Sequence, residues 1–340
     1  MISIEKIRER AKKALPKTSF QPYGDSPTVK SYTDWSAFEN AFSLPASSGK
    51  VSGATATDKL TSFSFQPEEN RMLAYHFSHL PGAFVADSDT IILESERNSL
   101  ALQHVLFCLD GDRNVHIEDL ASTGPKSATL DMLVRPGAHV NLSVFISGQH
   151  SQYLHIRYHL GDSSELSVNS AVLGINTHVH HEFFLNGSGS RVSYSGASIR
   201  GRSDLITNAF VSGNDNVIRI AHAVFSAPDD FVVHRGAIRV ARTSSGTDAD
   251  MDSAFYTTGG LAVSAPMLEV LTDNVIRASH RSRDLSLSDE QILYLQTRGL
   301  PASEALSVYV EKLIEQYVGN LASDERVISA IKSFSESLPR

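Results

Sequence analysis

Glycine recurs as Gly111, Gly124, Gly137, Gly148, Gly161, Gly174, Gly187, Gly201 and Gly213, at intervals of 13, 13, 11, 13, 13, 13, 14 and 12 residues. A strand of about seven or eight residues plus a tight turn fills such an interval, because glycine takes positive φ at little steric cost. Between the glycines apolar and polar residues alternate. In YLHIRYHL, Leu154, Ile156, Tyr158 and Leu160 alternate with Tyr153, His155, Arg157 and His159, the pattern of a half-buried strand with one apolar face. VNLSVFIS, ELSVNSAVL, RVSYSG and NVIRIAHAVF read the same way. Two such strands per coil would stack into a flattened parallel β-helix with one continuous core. An antiparallel meander closing as a sandwich or barrel has the same spacing, so both topologies stay open from spacing alone.

Composition narrows the function classes. Thirty-eight acidic against thirty basic side chains give a formal net charge of −8, and no basic run is concentrated enough to hold a phosphate backbone, which argues against nucleic acid. Cys108 is the only cysteine, so one chain has no internal disulfide and no all-thiolate metal site, as expected of a reducing compartment. Its place in the apolar run VLFCLD reads as a buried structural thiol. The charged start MISIEKIRERAKKAL is unlike a signal peptide, and no stretch approaches the ~18 consecutive apolar residues of a membrane span. The expected address is the cytoplasm, with no membrane insertion.

Helical patterns flank the β-rich stretch. Ile4, Ile7, Ala11 and Leu15 keep helical spacing behind a possible Ser3 cap, and Asp34 can cap a helix lined by Trp35, Phe38 and Phe42. Residues 43–62 are small and polar without periodicity and read as a mobile loop, and from about residue 71 the texture reads as strand after strand. After residue 280 the apolar period changes to 3.6. Ser288 with Gln291 makes a capping box, Gly299 can stop that helix, Pro301 opens another lined by Leu306, Val310, Leu313, Ile314 and Tyr317, and a third runs through Val327, Ile331 and Phe334. Such helices can cover the open end of a solenoid or dock a partner. The expected division is 1–66, N-terminal helices with a flexible linker; 67–280, the β core; and 281–340, a small helical domain.

Three constellations could carry chemistry. On a strand, His178 and His180 of THVHHE share a face and could offer imidazole nitrogens to one ion, although a carboxylate about four residues onward and a partner from another strand are not identifiable. His155 and His159 share their face with Arg157, whose charge would repel a cation. Asp248, Asp250 and Asp252 would share a face if extended and could bind calcium or act on polysaccharide, which keeps a β-helical carbohydrate-active enzyme as an alternative. No phosphate loop and no nucleophile elbow is present.

Four segments carry a family resemblance: HRGAIRV at 234–240, GTDAD at 246–250, PMLEVLTDNVIRASH at 266–280 and SDEQILYLQTRGLPASEA at 288–305. With them the chain resembles the SufB/SufD family, the β-helical components of the SUF iron–sulfur cluster assembly machinery. The resemblance implies a right-handed parallel β-helix between N-terminal helices and a small C-terminal helical domain. It implies a non-catalytic scaffold whose C-terminal helices bind the SufC-type ABC ATPase, here through Leu293, Tyr294, Arg298, Gly299, Leu306, Tyr309 and Val310. It also implies pairing with a SufB-type subunit, or with itself, through the β-helix. His280 matches the histidine of the family's Ser-His-Gly segment, a candidate ligand for iron or a transient iron–sulfur cluster at the subunit interface, with no cofactor expected within one chain. Arg281 replaces the usual glycine and Ala278 stands where many members have cysteine; a guanidinium beside the imidazole would disfavour a metal cation. The flanks and the lack of a cysteine after Cys108 are closer to SufD than to SufB. A SufBD-like structural paralogue without assembly activity is the remaining alternative.

Overall fold

The computed structural model describes residues 2–338 except 22–25, 27, 28, 61, 62 and 300, and at 302 and 303 the backbone alone. Its body is a parallel β-solenoid of about eight turns. The leading strands are short: β1 (Ile2–Ser3), β2 (Ala46–Ser47), β3 (Lys50–Ser52), β4 (Ala54–Thr57), β5 (Lys59–Leu60), β6 (Ala83–Ala86) and β7 (Thr90–Glu94). The coils then lengthen through β8 (Leu100–Leu109), β9 (Asp112–Ala121), β10 (Lys126–Val134), β11 (His139–Gly148), β12 (Gln152–Leu160), β13 (Glu165–Leu185) and β14 (Arg191–Val211). They end with β15 (Val217–Ser226), β16 (Phe231–Val240), β17 (Thr247–Thr257), β18 (Leu261–Val270) and β19 (Val275–Asp284).

Register decides the topology that spacing leaves open. Every solenoid pairing from β6 to β19 is parallel, for example His155↔His180 and Ala197↔Ala223. One sheet runs β6, β8, β10, β12, the second half of β13, the second half of β14, β16 and β18; the other runs β7, β9, β11, the first halves of β13 and β14, β15, β17 and β19. The meander is therefore excluded. Alternate residues such as Leu142, Val168, Leu154, Val179 and Ile238 point inward into one continuous core. The glycines act in two ways. Gly111, Gly137 and Gly201 take positive φ, whereas Gly187 lies so close to the coil before it that a Cβ would fall 2.6 Å from the Asp162 nitrogen. For such glycines the constraint is coil-to-coil approach rather than φ.

The outer faces are buried too, contrary to the one-faced strand that YLHIRYHL suggests. Helices α1 (Ile4–Ala14), α2 (Trp35–Ala41) and α3 (Arg71–His79) cover the first sheet, burying Phe38, Phe65, Leu73 and Phe77 against Leu102, Leu106 and Tyr153. Asp34 caps α2 as expected, and Ser3 precedes α1 without a side-chain bond. Helix α3 departs from the strand texture read there: Asn70 caps it, and Met72 through Ser78 are all buried, which erases the polar stripe a helical period needs. Residues 43–62 also differ from the loop reading. Within them β3 and β4 pair antiparallel with β7 and β6, sealing the first coil's edge. Cys108 is exposed rather than buried, because on β8 it faces outward beyond the helical cover while Phe107 and Leu109 fill the core.

The tail forms α4 (Asp289–Thr297), α5 (Ala302–Val318) and α6 (Glu325–Ser335), with the Ser288–Gln291 capping box in place. It does not cover the open end. It lies along the flank of the second sheet, where Ala171, Ala197, Ala223 and Ala254 stack in register and let the helices approach. Val310, Ile314, Val318, Val327 and Phe334 are fully buried there, worth about 1.5–3 kcal/mol for each large side chain. Arg326 clamps the contact, donating to Glu118 at 2.8 and 2.9 Å and lying 3.9 Å from the Phe145 ring centroid. Among the described residues no helix is long and apolar enough to cross a membrane.

Among the described residues one charged pair has both side chains fully enclosed. Lys126 Nζ is 2.5 Å from Asp119 and donates to the Leu93 carbonyl at 2.7 Å, with both charged side chains fully buried. Removing one partner of such a pair strands the other, at a cost of about 3–5 kcal/mol. Lys126→Met is expected to lower the urea midpoint accordingly, and an unchanged midpoint would contradict the pairing.

Candidate functional site

Two regions of the solenoid gather chemistry-bearing side chains. The first is a cleft of about 290 Å³ between the N-terminal segment and the outer face of the first sheet, lined by Phe20, Trp35, Glu69, His178, His180 and Arg235 among others. The register of the coils builds it. His155 on β12 stands opposite His180 on β13, and Arg157 opposite Glu182. The imidazoles stack with centroids 4.3 Å apart.

Glu182 is the hub. Its Oε2 accepts from His155 Nε2 at 2.9 Å and from Arg157 Nε at 2.6 Å, and its Oε1 faces His180 Nε2 at 3.4 Å. Arg157 is held further by Glu69 at 2.5 Å and the Ser64 carbonyl at 2.6 Å. The Glu182 carboxyl stays well below the usual carboxylate range: burial would raise it, but the hydrogen bonds from His155 and the Arg157 guanidinium outweigh burial. His180 is held neutral by burial. Its tautomer follows from a neighbour. Asn208 Oδ1 accepts from the Ala237 backbone N–H at 3.1 Å, which turns Nδ2 to donate to His180 Nε2 at 3.0 Å, so that nitrogen carries a lone pair.

His178, the other histidine singled out in THVHHE, belongs to a different group. Its Nδ1 is 2.7 Å from Thr33 Oγ1 and 3.6 Å from Asp204, which Arg235 holds with bonds of 2.8 and 2.9 Å. Among the described residues the group whose ligand atoms lie within 4.8 Å of one another is His155, His180 and Glu182. The missing partner of His180 is thus His155, one coil earlier, and Arg157 pairs with the carboxylate rather than opposing a cation alone. Two glycine intervals of 13 suggest a coil of 26 residues, whereas the register between β12 and β13 is offset by 25, and that one residue decides that His155 meets His180 rather than His181.

The second region is the open end. β18 pairs with β16 and β19 with β17, and among the described residues no strand takes their outer edges. Ala278, His280 and Ser282 stand in register with inward-facing Ala249, Met251 and Ser253, so His280 sits exposed at the mouth of the lumen. Arg281 is turned the other way, to Asp252 at 3.1 Å and Asp250 at 3.5 Å, which removes the conflict expected beside His280. The aspartate ladder is likewise spoken for: Asp248 is paired with Arg219 and Arg277, and Asp252 with Arg283 at 2.5 Å. Carboxylates neutralised this way do not form the free pair that acid–base hydrolysis needs. In the tail, Leu293, Tyr294, Arg298 and Gly299 are exposed, Leu306 and Tyr309 are half-buried, and Val310 lies in the core and presents nothing to solvent.

A family model described as "SUF system FeS cluster assembly, SufBD core domain" matches residues 91–312. A protein of Mycobacterium leprae (strain TN), named as an iron-sulfur cluster assembly SufBD family protein, is 32% identical over 114 residues, covering 32% of this chain and 29% of that protein. Proteins of the same description from Mycobacterium bovis and Mycobacterium tuberculosis (strain H37Rv) are each 30% identical over 112 residues, covering 32% of this chain and 28% of theirs. The matched stretch is therefore under a third of these relatives' length.

Several imidazoles are buried and pushed below their ordinary 6.5, His104 to about 4 and His181 and His234 to about 3, chiefly by desolvation. Between pH 6.5 and about 4 the unfolded chain binds protons that the native chain does not, so stability falls with pH by up to about 1.4 kcal/mol per unit for each histidine. Urea midpoints should drop from pH 7.5 to pH 5, and His234→Gln, which can keep bonds to Thr207 and Ser253, should flatten that dependence. A midpoint constant over this range would contradict neutral burial.

Proposed function

Because the chain belongs to the family of SUF-system FeS cluster assembly proteins that carry the SufBD core domain, we propose that it is a non-catalytic, SufD-like scaffold subunit of an iron–sulfur cluster assembly complex in the cytoplasm. The observation that carries this reading is the asymmetry of the solenoid. One end is sealed by β3 and β4, whereas among the described residues no strand pairs with the outer edges of β18 and β19 beside His280. An open edge of this kind accepts another strand, so the partner is a second β-helix, from a SufB-type subunit or from a second copy of this chain. The iron or nascent cluster is cargo rather than a resident group. His280 offers an imidazole nitrogen at the mouth, and Cys108 is on β8, toward the other end of the coil stack, so further ligands come from the partner.

The tail supplies the second contact. Leu293 is 60% and Tyr294 57% exposed on α4, beside a groove formed with Leu287, Leu295 and Tyr309. Large apolar side chains held out on a capped helix suit a helix-in-groove partner, here a SufC-type ABC ATPase. Truncating the tail is a poor test, since it would uncover Phe145, Ala197 and Phe225 on the second sheet.

Point variants avoid that problem. The Leu293→Asp/Tyr294→Asp double variant is expected to weaken ATPase binding at least about tenfold with an unchanged melting curve. His280→Ala should keep both partners but retain less iron and sulfide after anaerobic reconstitution. Full ATPase binding by the double variant would overturn the docking surface. Full cluster retention by His280→Ala would remove His280 from the ligands and leave it an interface residue, whereas no retention even with His280 in place would favour a structural paralogue without assembly activity.

A further inference from the structure

We propose that His155, His180 and Glu182 form a site for one divalent first-row transition-metal ion on the wall of the cleft, separate from the open end and independent of the scaffold reading. Three features of the geometry point to a cation. First, the ligand atoms converge: one from each residue, all within 4.8 Å. A tetrahedral ion with bonds of about 2.0–2.1 Å needs donors about 3.3–3.4 Å apart, and His180 Nε2 and Glu182 Oε1 are already 3.4 Å apart. Second, that pair is a lone pair facing a lone pair, because Asn208 donates to the same His180 nitrogen. Two acceptors held together beside a cavity are repulsive until a cation lies between them.

Third, the surroundings supply the outer contacts that metal ligands use. Arg157 holds Glu182 through Oε2, which fixes the carboxylate and leaves Oε1 directed at His180. His155 must present a lone pair at Nε2, where it now donates to Glu182. Moving that proton to Nδ1 keeps the ring neutral, and the Tyr153 hydroxyl, 3.3 Å from Nδ1, turns to accept it. The charges allow a divalent ion. Around the cleft Glu182, Glu69, Asp204 and Glu269 face Arg157, Arg235 and Arg239, four carboxylates against three guanidinium groups. Two imidazoles and one carboxylate suit zinc or ferrous iron, and the cavity side leaves coordination positions open to solvent.

The test is an anaerobic titration of the chelator-stripped, full-length protein with Co²⁺ alone, followed by its visible ligand-field absorption. The expected result is saturation at one ion per chain, displaced by Zn²⁺. His180→Gln and Glu182→Gln should each weaken binding by at least about 100-fold, and Tyr153→Phe by about tenfold through loss of the Nδ1 acceptor. Circular dichroism melting runs alongside. Should Glu182→Gln melt early, His180→Gln decides, since its ring is partly exposed and glutamine can still meet Asn208. Absence of Co²⁺ absorption in the native protein, unchanged affinity in folded His180→Gln, or loss of the signal in His280→Ala would overturn the site.

Discussion

The coil-to-coil backbone hydrogen bond governs this molecule. A parallel solenoid satisfies each strand through the strand one coil before and one coil after, so the interior coils have no free edge. The terminal coils cannot be satisfied this way. At the N-terminal end the chain turns back and adds β3 and β4 antiparallel on β7 and β6. At the other end the tail, which could have folded over the edge, lies along an alanine column on the flank instead. A chain able to seal one edge and leaving the other bare has a surface shaped for pairing, and His280 stands on it.

The same register orders the polar groups. Residues about one coil apart in sequence are neighbours across the sheet, which turns outward-facing charges into ladders: Arg157 with Glu182, Asp204 with Arg235, Asp252 with Arg281 and Arg283. Buried ion pairs add little net stability relative to apolar packing. They do fix register, since slipping a strand by one residue would turn each charge inward. Their consequence for chemistry is selective. On β17 arginines of the neighbouring strands engage Asp248 and Asp252, and Ser279 donates to Asp250, while Glu182 keeps one oxygen turned toward an imidazole.

Much of this was legible in the sequence because glycine spacing and alternation report coil length directly. The C-terminal caps were legible too, Ser288 with Gln291 and Gly299 being local signals. What escaped depends on contacts distant in sequence. Helix α3 is buried on every side and shows no polar stripe. β3, Lys-Val-Ser, and β4, Ala-Thr-Ala-Thr, are too short to show a period, and their strand character comes from the edge they cover. The cleft needed a full coil of offset to bring His155 to His180, and Cys108 needed knowledge of where the helical cover stops. The burial of Val310 against the alanine column was likewise invisible until the tail's resting place was known.

The central claim is that the free edge of the last coil is the pairing surface. Amide hydrogen exchange of β19, followed by mass spectrometry with and without a SufB-type partner, tests it most directly. The account predicts fast exchange across Val275–Asp284 in the isolated chain, and strong protection of alternate amides once the partner is bound. Equal exchange in both states, in a complex that has demonstrably formed, would contradict it.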